Sequence, residues 1–258
     1  MGRKTVHFRR RSQAEFARQF TNLCNTKSSW EVWADFVTMS ATAIANACDQ
    51  QGETHDAREK EYLSIINRYT KAEQQTFPEL LAKLVEALEE DPEQDFLGEM
   101  FMALELGSHW KGQFFTPYSI CQLMSAMTID DRAQQIQERG WAGIHDPCCG
   151  AGALLIAARN EMVKRGLGPR QALYVAQDID RTAALMCYLQ LSLLGCAGYV
   201  VVGDTLTQPS VGPTGSPLLI APAEGQEVWL MPAFYDKVWM YRVQFEKVMW
   251  LTMPREGK

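Results

Sequence analysis

Residues 145 to 153, His-Asp-Pro-Cys-Cys-Gly-Ala-Gly-Ala, set an acid just ahead of two closely spaced glycines and then open the apolar run Ala153 to Ala158. Glycines let a backbone approach a ligand closely, and the free N–H groups at a helix start favour an anionic ligand group. The chemistry this suggests is the binding of a nucleotide-type cofactor, although a two-glycine loop alone is a weak signal. Two further segments strengthen it: Leu173-Tyr174-Val175-Ala176-Gln177-Asp178 and Tyr199-Val200-Val201-Val202-Gly203-Asp204. Each is an apolar run ending in an acid, as Ile144-His145-Asp146 is. With helical stretches between them, the three runs predict parallel strands whose acids sit at the carboxyl ends, where such sheets bind ligands.

The elements that must position this loop are helical on its amino-terminal side. Phe16, Phe20 and Leu23, then Trp30, Trp33, Phe36, Val37, Ala41 and Ile44, fall at three-to-four spacing. Ser28 or Ser29 is placed to cap the second helix, with Glu31 in its first turn. Gly52 and Thr54 precede a third helix carrying Tyr62, Leu63, Ile66 and Tyr69. A fourth is predicted to start at Phe77-Pro78 and to stop at Asp91-Pro92, and a fifth runs from Asp95 to Leu106 and ends at Gly107. Gln113 to Phe115 reads as a short extended piece, with Thr116 as N-cap and Pro117 as first residue of a helix through Met127. Residues 130 to 140 form another, closed by Gly140. Domains are expected at 1–105 (helical) and 106–258 (sheet-containing).

Composition narrows the class. A chain of 258 residues with 47% hydrophobic content can bury a core. Its longest apolar runs fall well short of the roughly 20 residues of a membrane span, so no membrane association is expected. Seven cysteines without a Cys-x-x-Cys pair suit free thiols in a cytoplasmic setting, and no metal site is expected, because Cys148 and Cys149 lack partners at ligand spacing. Net charge is −6. Val85 to Glu105 carries eight acids and no base, whereas Arg3, Lys4, Arg9, Arg10 and Arg11 make a basic amino-terminal tail. That tail reads either as a solubilising end or as a phosphate-contacting arm. The acidic balance predicts weak DNA binding by the chain alone.

In order along the chain, Gly-Gln-Phe-Phe-Thr-Pro, Asp-Pro-x-Cys-Gly-x-Gly, Gln-Asp-x-Asp and Gly-Asp-Thr-Leu resemble the modification subunit of type I restriction-modification systems, a DNA adenine-N6 methyltransferase family. The resemblance covers about residues 93 to 206. It implies an α/β, Rossmann-like class I S-adenosylmethionine-dependent methyltransferase fold behind an N-terminal all-helical domain, with S-adenosylmethionine as cofactor. The glycine loop, with Pro147, Gly150 and Gly152, would then receive the methionyl end, and Asp146 its ammonium side or the loop shape. Asp178 would accept from the ribose hydroxyls and Asp204 from the adenine amine, while Phe115, Thr116 and Pro117 line the pocket. Asp180 reads better as a helix cap than as a ligand.

The chain departs from that family at the acceptor clamp, normally Asn or Asp followed by Pro-Pro and an aromatic. Its last asparagine is Asn160, and it contains no Pro-Pro pair. The nearest candidate is Leu230-Met231-Pro232-Ala233-Phe234-Tyr235, after a strand-like Glu227 to Met231 where the clamp strand is expected. Met231 is a poor acceptor for an amine. The catalytic residues are therefore unknown. The remainder after Asp204, with a helix from about Phe234 to Leu251, leaves room for one or two strands and little for target recognition. Three readings stay open: a cofactor-binding, regulatory or partner-dependent subunit impaired in base capture; an active methylase with an irregular or partner-supplied clamp; or a helical interaction module with a vestigial cofactor site. Expected partners are DNA through another subunit, and a protein partner or a second copy.

Overall fold

The structure is a computed structural model that describes residues 8, 10–106, 115–210 and 215–252. Arg3, Lys4 and Arg9 of the basic tail, the helix end at Gly107 and the extended piece at 113–114 lie outside the described residues. Five helices come first: α1 (Arg11–Leu23), α2 (Ser29–Cys48), α3 (Glu53–Ile66), α4 (Lys71–Glu90) and α5 (Phe96–Ala103). Then follow α6 (Tyr118–Thr128), α7 (Asp130–Arg139), β1 (Ala142–Asp146), α8 (Ala153–Lys164), β2 (Ala172–Asp178), α9 (Arg181–Leu193) and β3 (Ala197–Val202). β4 (Glu227–Leu230), a 3-10 turn (Pro232–Tyr235) and α10 (Lys237–Thr252) complete the order.

Local chemistry sets the helix ends. The Ser28 hydroxyl accepts from the Glu31 N–H at the start of α2, and Gly140 closes α7 at φ 78°. α4 begins at Lys71, six residues before the expected Phe77-Pro78 start, because Thr70 and Glu73 form a reciprocal capping box. Pro78 is thus interior to the helix. Lys71 to Gln75, polar apart from Ala72, carry no apolar rhythm, so the periodicity is visible only from Phe77 onward. Thr70→Ala is expected to cost about 1 kcal/mol and lower Tm by roughly 2–4 °C in thermal denaturation. α6 starts one residue later than expected, with Pro117 in the N-cap position and no side-chain cap, so Thr116 is not the cap.

β1, β2 and β3 are parallel and β4 is antiparallel at the far edge, in the order β1-β2-β3-β4. α8 and α9, the two crossover helices, share one face with the amino-terminal helices. A continuous core runs there from Phe16 through Trp33 and Phe96 to Leu185 and Trp229. Phe16 meets Phe36 and Phe96 edge-on at 5.5 and 5.4 Å, and the Trp33 indole N–H donates to Met186 Sδ at 3.4 Å. α9 is covered on both sides, which explains a helix apolar all round its axis. On the other face Trp141, Leu173, Val175, Tyr199, Phe234 and Trp239 form a second cluster. Arg58 of α3 stacks over Trp229 at 4.4 Å and donates to the Val228 carbonyl, which ties β4 to the helices.

Candidate cofactor site at the carboxyl ends of the strands

Parallel pairing sets Asp146 beside Ala176 and Asp178 beside Val202, so two of the three acids emerge at the same end of neighbouring strands. Asp178 is the hub of the glycine loop. Its Oδ2 accepts from the Gly150 N–H at 2.8 Å and its Oδ1 from the Asp180 N–H at 2.9 Å. Asp180 itself caps α9, accepting from Ala183 N–H at 3.0 Å. Asp146 accepts from the Cys148 N–H at 3.1 Å, and burial raises its carboxyl above the ordinary range against the pull of that bond. β3 ends at Val202, two residues short of Asp204. Asp204 turns the chain back on itself, accepting from Leu206 N–H and the Thr207 hydroxyl, both at 2.9 Å, and these bonds hold it below its usual value.

The glycines are required by conformation and packing together. Gly150 has φ 53° and Gly152 φ 94°. A Cβ on Gly150 would lie 3.0 Å from the Phe115 ring, and one on Gly152 2.9 Å from Cys187 Sγ. Gly152 is also the N-cap of α8 and supplies no side-chain acceptor, which leaves the first N–H groups of that helix without a side-chain cap.

Phe115, Thr116, Asp146 and Gly150 line a single cavity of about 210 Å³, together with Asp95, Met124 and the α8 start at Ala153 and Leu154. Pro117 lies in an adjoining groove of about 770 Å³ that shares Asp95, Phe115 and Thr116. Pro147 is not among the residues lining either, and its carbonyl accepts from the Thr205 hydroxyl at 2.5 Å. Gly152, Asp178 and Asp204 are not among the residues lining that cavity.

Four residues that sequence reasoning missed complete the arrangement. Buried Gln190 donates to Asp95 Oδ1 and to the Ala151 carbonyl and accepts from Leu97 N–H, so it ties α5 to the glycine loop. Buried Gln177 donates to the Gly203 and Gln208 carbonyls and accepts from Ser210 N–H, which fixes the loop after β3. A lone amide inside an apolar run was the available signal for both. Ile179 and Leu206, which follow the strand-end acids, leave 69% and 93% of their surface in water.

Asp95 caps α5, accepting from Gly98 N–H at 2.9 Å, and burial pushes its carboxyl up to about 6. A folded-state value above the unfolded one means stability is fullest at low pH and is lost as pH rises through about 6. Asp95→Asn keeps a good cap and cannot ionise. Urea unfolding is expected to show wild type losing on the order of 2 kcal/mol relative to this variant between pH 4 and pH 7.

The segment Met231-Pro232-Ala233-Phe234 lies at the other end of the sheet. β4 runs antiparallel, so Leu230 pairs with Tyr199 near the amino end of β3, and Met231 N–H donates to the Gly198 carbonyl at 2.9 Å. Phe234 packs on Tyr199 at 6.2 Å. The expectation that a clamp strand stands here beside the cofactor loop is corrected: the direction of β4, which composition cannot reveal, carries the segment away from Asp146 and Asp178.

A family model described as N-6 DNA methylase matches residues 95–242, more than half of the chain. The chain belongs to the N-6 DNA methylase family. A search among curated proteins finds no match. The mixed α/β architecture, with a four-stranded open sheet and ten α-helices among the described residues, fits a methyltransferase fold. N-6 DNA methylases generally use S-adenosylmethionine, and the cavity lining fits its zwitterionic methionyl end, with the acid Asp146 and the uncapped start of α8. Among the described residues no helix is long and apolar enough to cross a membrane.

Proposed function

We propose that this N-6 DNA methylase relative binds S-adenosylmethionine through a Rossmann-like half-sheet behind its helical region, and that it does not capture a target adenine by itself. In this reading it serves as a regulatory or partner-dependent cytoplasmic subunit, akin to the modification subunit of a type I restriction-modification system. One observation carries it. The acids and glycine loop that suit the cofactor gather at one end of the sheet, and the nearest substitute for an acceptor clamp lies at the other.

S-adenosylmethionine supplies a methyl group made electrophilic by its sulfonium. Asp146 would hold the ammonium of the methionyl end, and the first N–H groups of α8 would receive its carboxylate. Asp178 keeps two of its four acceptor positions after holding Gly150 and Asp180, enough for the ribose hydroxyls. Asp204 likewise retains acceptor capacity that would serve the adenine amine. DNA reaches the chain through another subunit, in keeping with the net charge of −6.

Transfer of labelled methyl from the cofactor to DNA tests the second half of the reading. Purified chain alone is expected to give no label above background, and addition of a chain co-purified from the native host is expected to restore it. Robust labelling by the chain alone would overturn the claim of impaired base capture.

A further inference from the structure

α10 buries one side only. Trp239 is fully buried against Trp141 at 5.7 Å, and Val243 packs on the same cluster. The opposite side carries Tyr241, Phe245, Val248 and Thr252 at four-three-four spacing, the seam of a helix that packs against another helix. Met240, Tyr241, Phe245, Val248, Met249 and Leu251 each leave between 41% and 76% of their surface in water. Together they expose on the order of 700 Å², above the roughly 300–600 Å² of the largest patch on a typical monomer and close to one partner's share of a standard interface. The helix passes under the amino ends of the strands, with Arg242 donating to the Arg170 and Gly140 carbonyls. Its second half therefore emerges on the side of β1, beyond which no strand follows among the described residues.

We propose that this seam is the dimer interface of the protein, with α10 packing antiparallel against α10 of a second copy. A twofold axis between Phe245 and Val248 sets Phe245 of one copy against Val248 of the other, and Tyr241 against Thr252. The positions flanking the seam suit self-association. Gln244 of one copy faces Leu251 of the other, a pair without charge, and Arg242, on the opposite flank beside Met249 of the other copy, is committed to backbone carbonyls. The interface lies at the end of the sheet opposite the glycine loop and is independent of cofactor binding.

Sedimentation equilibrium of the full chain across micromolar concentrations tests this. Wild type is expected at the mass of two chains, and Phe245→Glu or Val248→Lys alone at the mass of one, each with the thermal transition of a folded protein. Mixing the Phe245→Glu and Val248→Lys chains is expected to restore the double mass, because the antiparallel pairing then joins Glu to Lys and leaves the other Phe-Val pair intact. Tyr241→Lys provides the same readout at the most exposed position should either variant fail to fold. A monomeric wild type, any assembly other than two chains, a dimer indifferent to these substitutions, or a mixture that stays monomeric would each overturn the proposal.

Discussion

Asp178→Ala is expected to weaken S-adenosylmethionine binding by about 100-fold, near 3 kcal/mol, in calorimetric titration. The carboxylate does two things that alanine cannot. Its oxygens receive the Gly150 and Asp180 N–H groups, so the loop backbone loses the anchor that sets its φ of 53° at Gly150. Its remaining lone pairs are the acceptors that the proposed function assigns to the ribose. Hydrogen bonds to an ionised group contribute about 1.5–3 kcal/mol each, so loss of one class alone would already be measurable. Asp178→Asn keeps one acceptor oxygen but turns an NH₂ toward a backbone N–H, and is expected to fall between wild type and alanine. An affinity within twofold of wild type for Asp178→Ala would remove Asp178 from the site.

Gly198→Ala is expected to abolish cooperative folding. A Cβ at this position would lie 1.8 Å from the Tyr174 carbonyl oxygen and 2.7 Å from its carbon, and φ is 150°. The obstacle is backbone of the neighbouring strand, so no side chain can swing away. β2 and β3 would have to separate at the centre of the sheet, at a cost above the roughly 4–5 kcal/mol that marks exceptional substitutions. Gly195→Ala is the control: φ is 71°, nothing lies within 4 Å of the added carbon, and only about 1–2 kcal/mol of backbone strain is expected. Urea denaturation followed by circular dichroism separates the two, and equal losses would contradict this account of the β2–β3 contact.

Much of this organisation was legible in the residues. Asp178 ends a strand because a parallel strand buried on both faces writes itself as an apolar run, and the break of that run marks its carboxyl end. The Gly140 stop stands where spacing put it, and the cap of α2 falls on Ser28, one of the two serines that spacing allowed. What was not legible depends on partners distant in sequence. The start of α4 was hidden because a capping box is polar and leaves no trace in apolar periodicity. Gln177 and Gln190 look like interruptions until the backbone groups they satisfy are brought in from residues 203–210 and 95–151. β4 reads as a strand, but its antiparallel pairing to β3 is a property of the loop before it. That pairing decides where Met231 to Phe234 can act.

The most direct test of the central claim is calorimetric titration of the purified wild-type chain with S-adenosylmethionine. The account predicts saturable binding of one cofactor per chain, reduced about 100-fold by Asp178→Ala while the thermal transition persists. A folded chain that takes up no cofactor would contradict it.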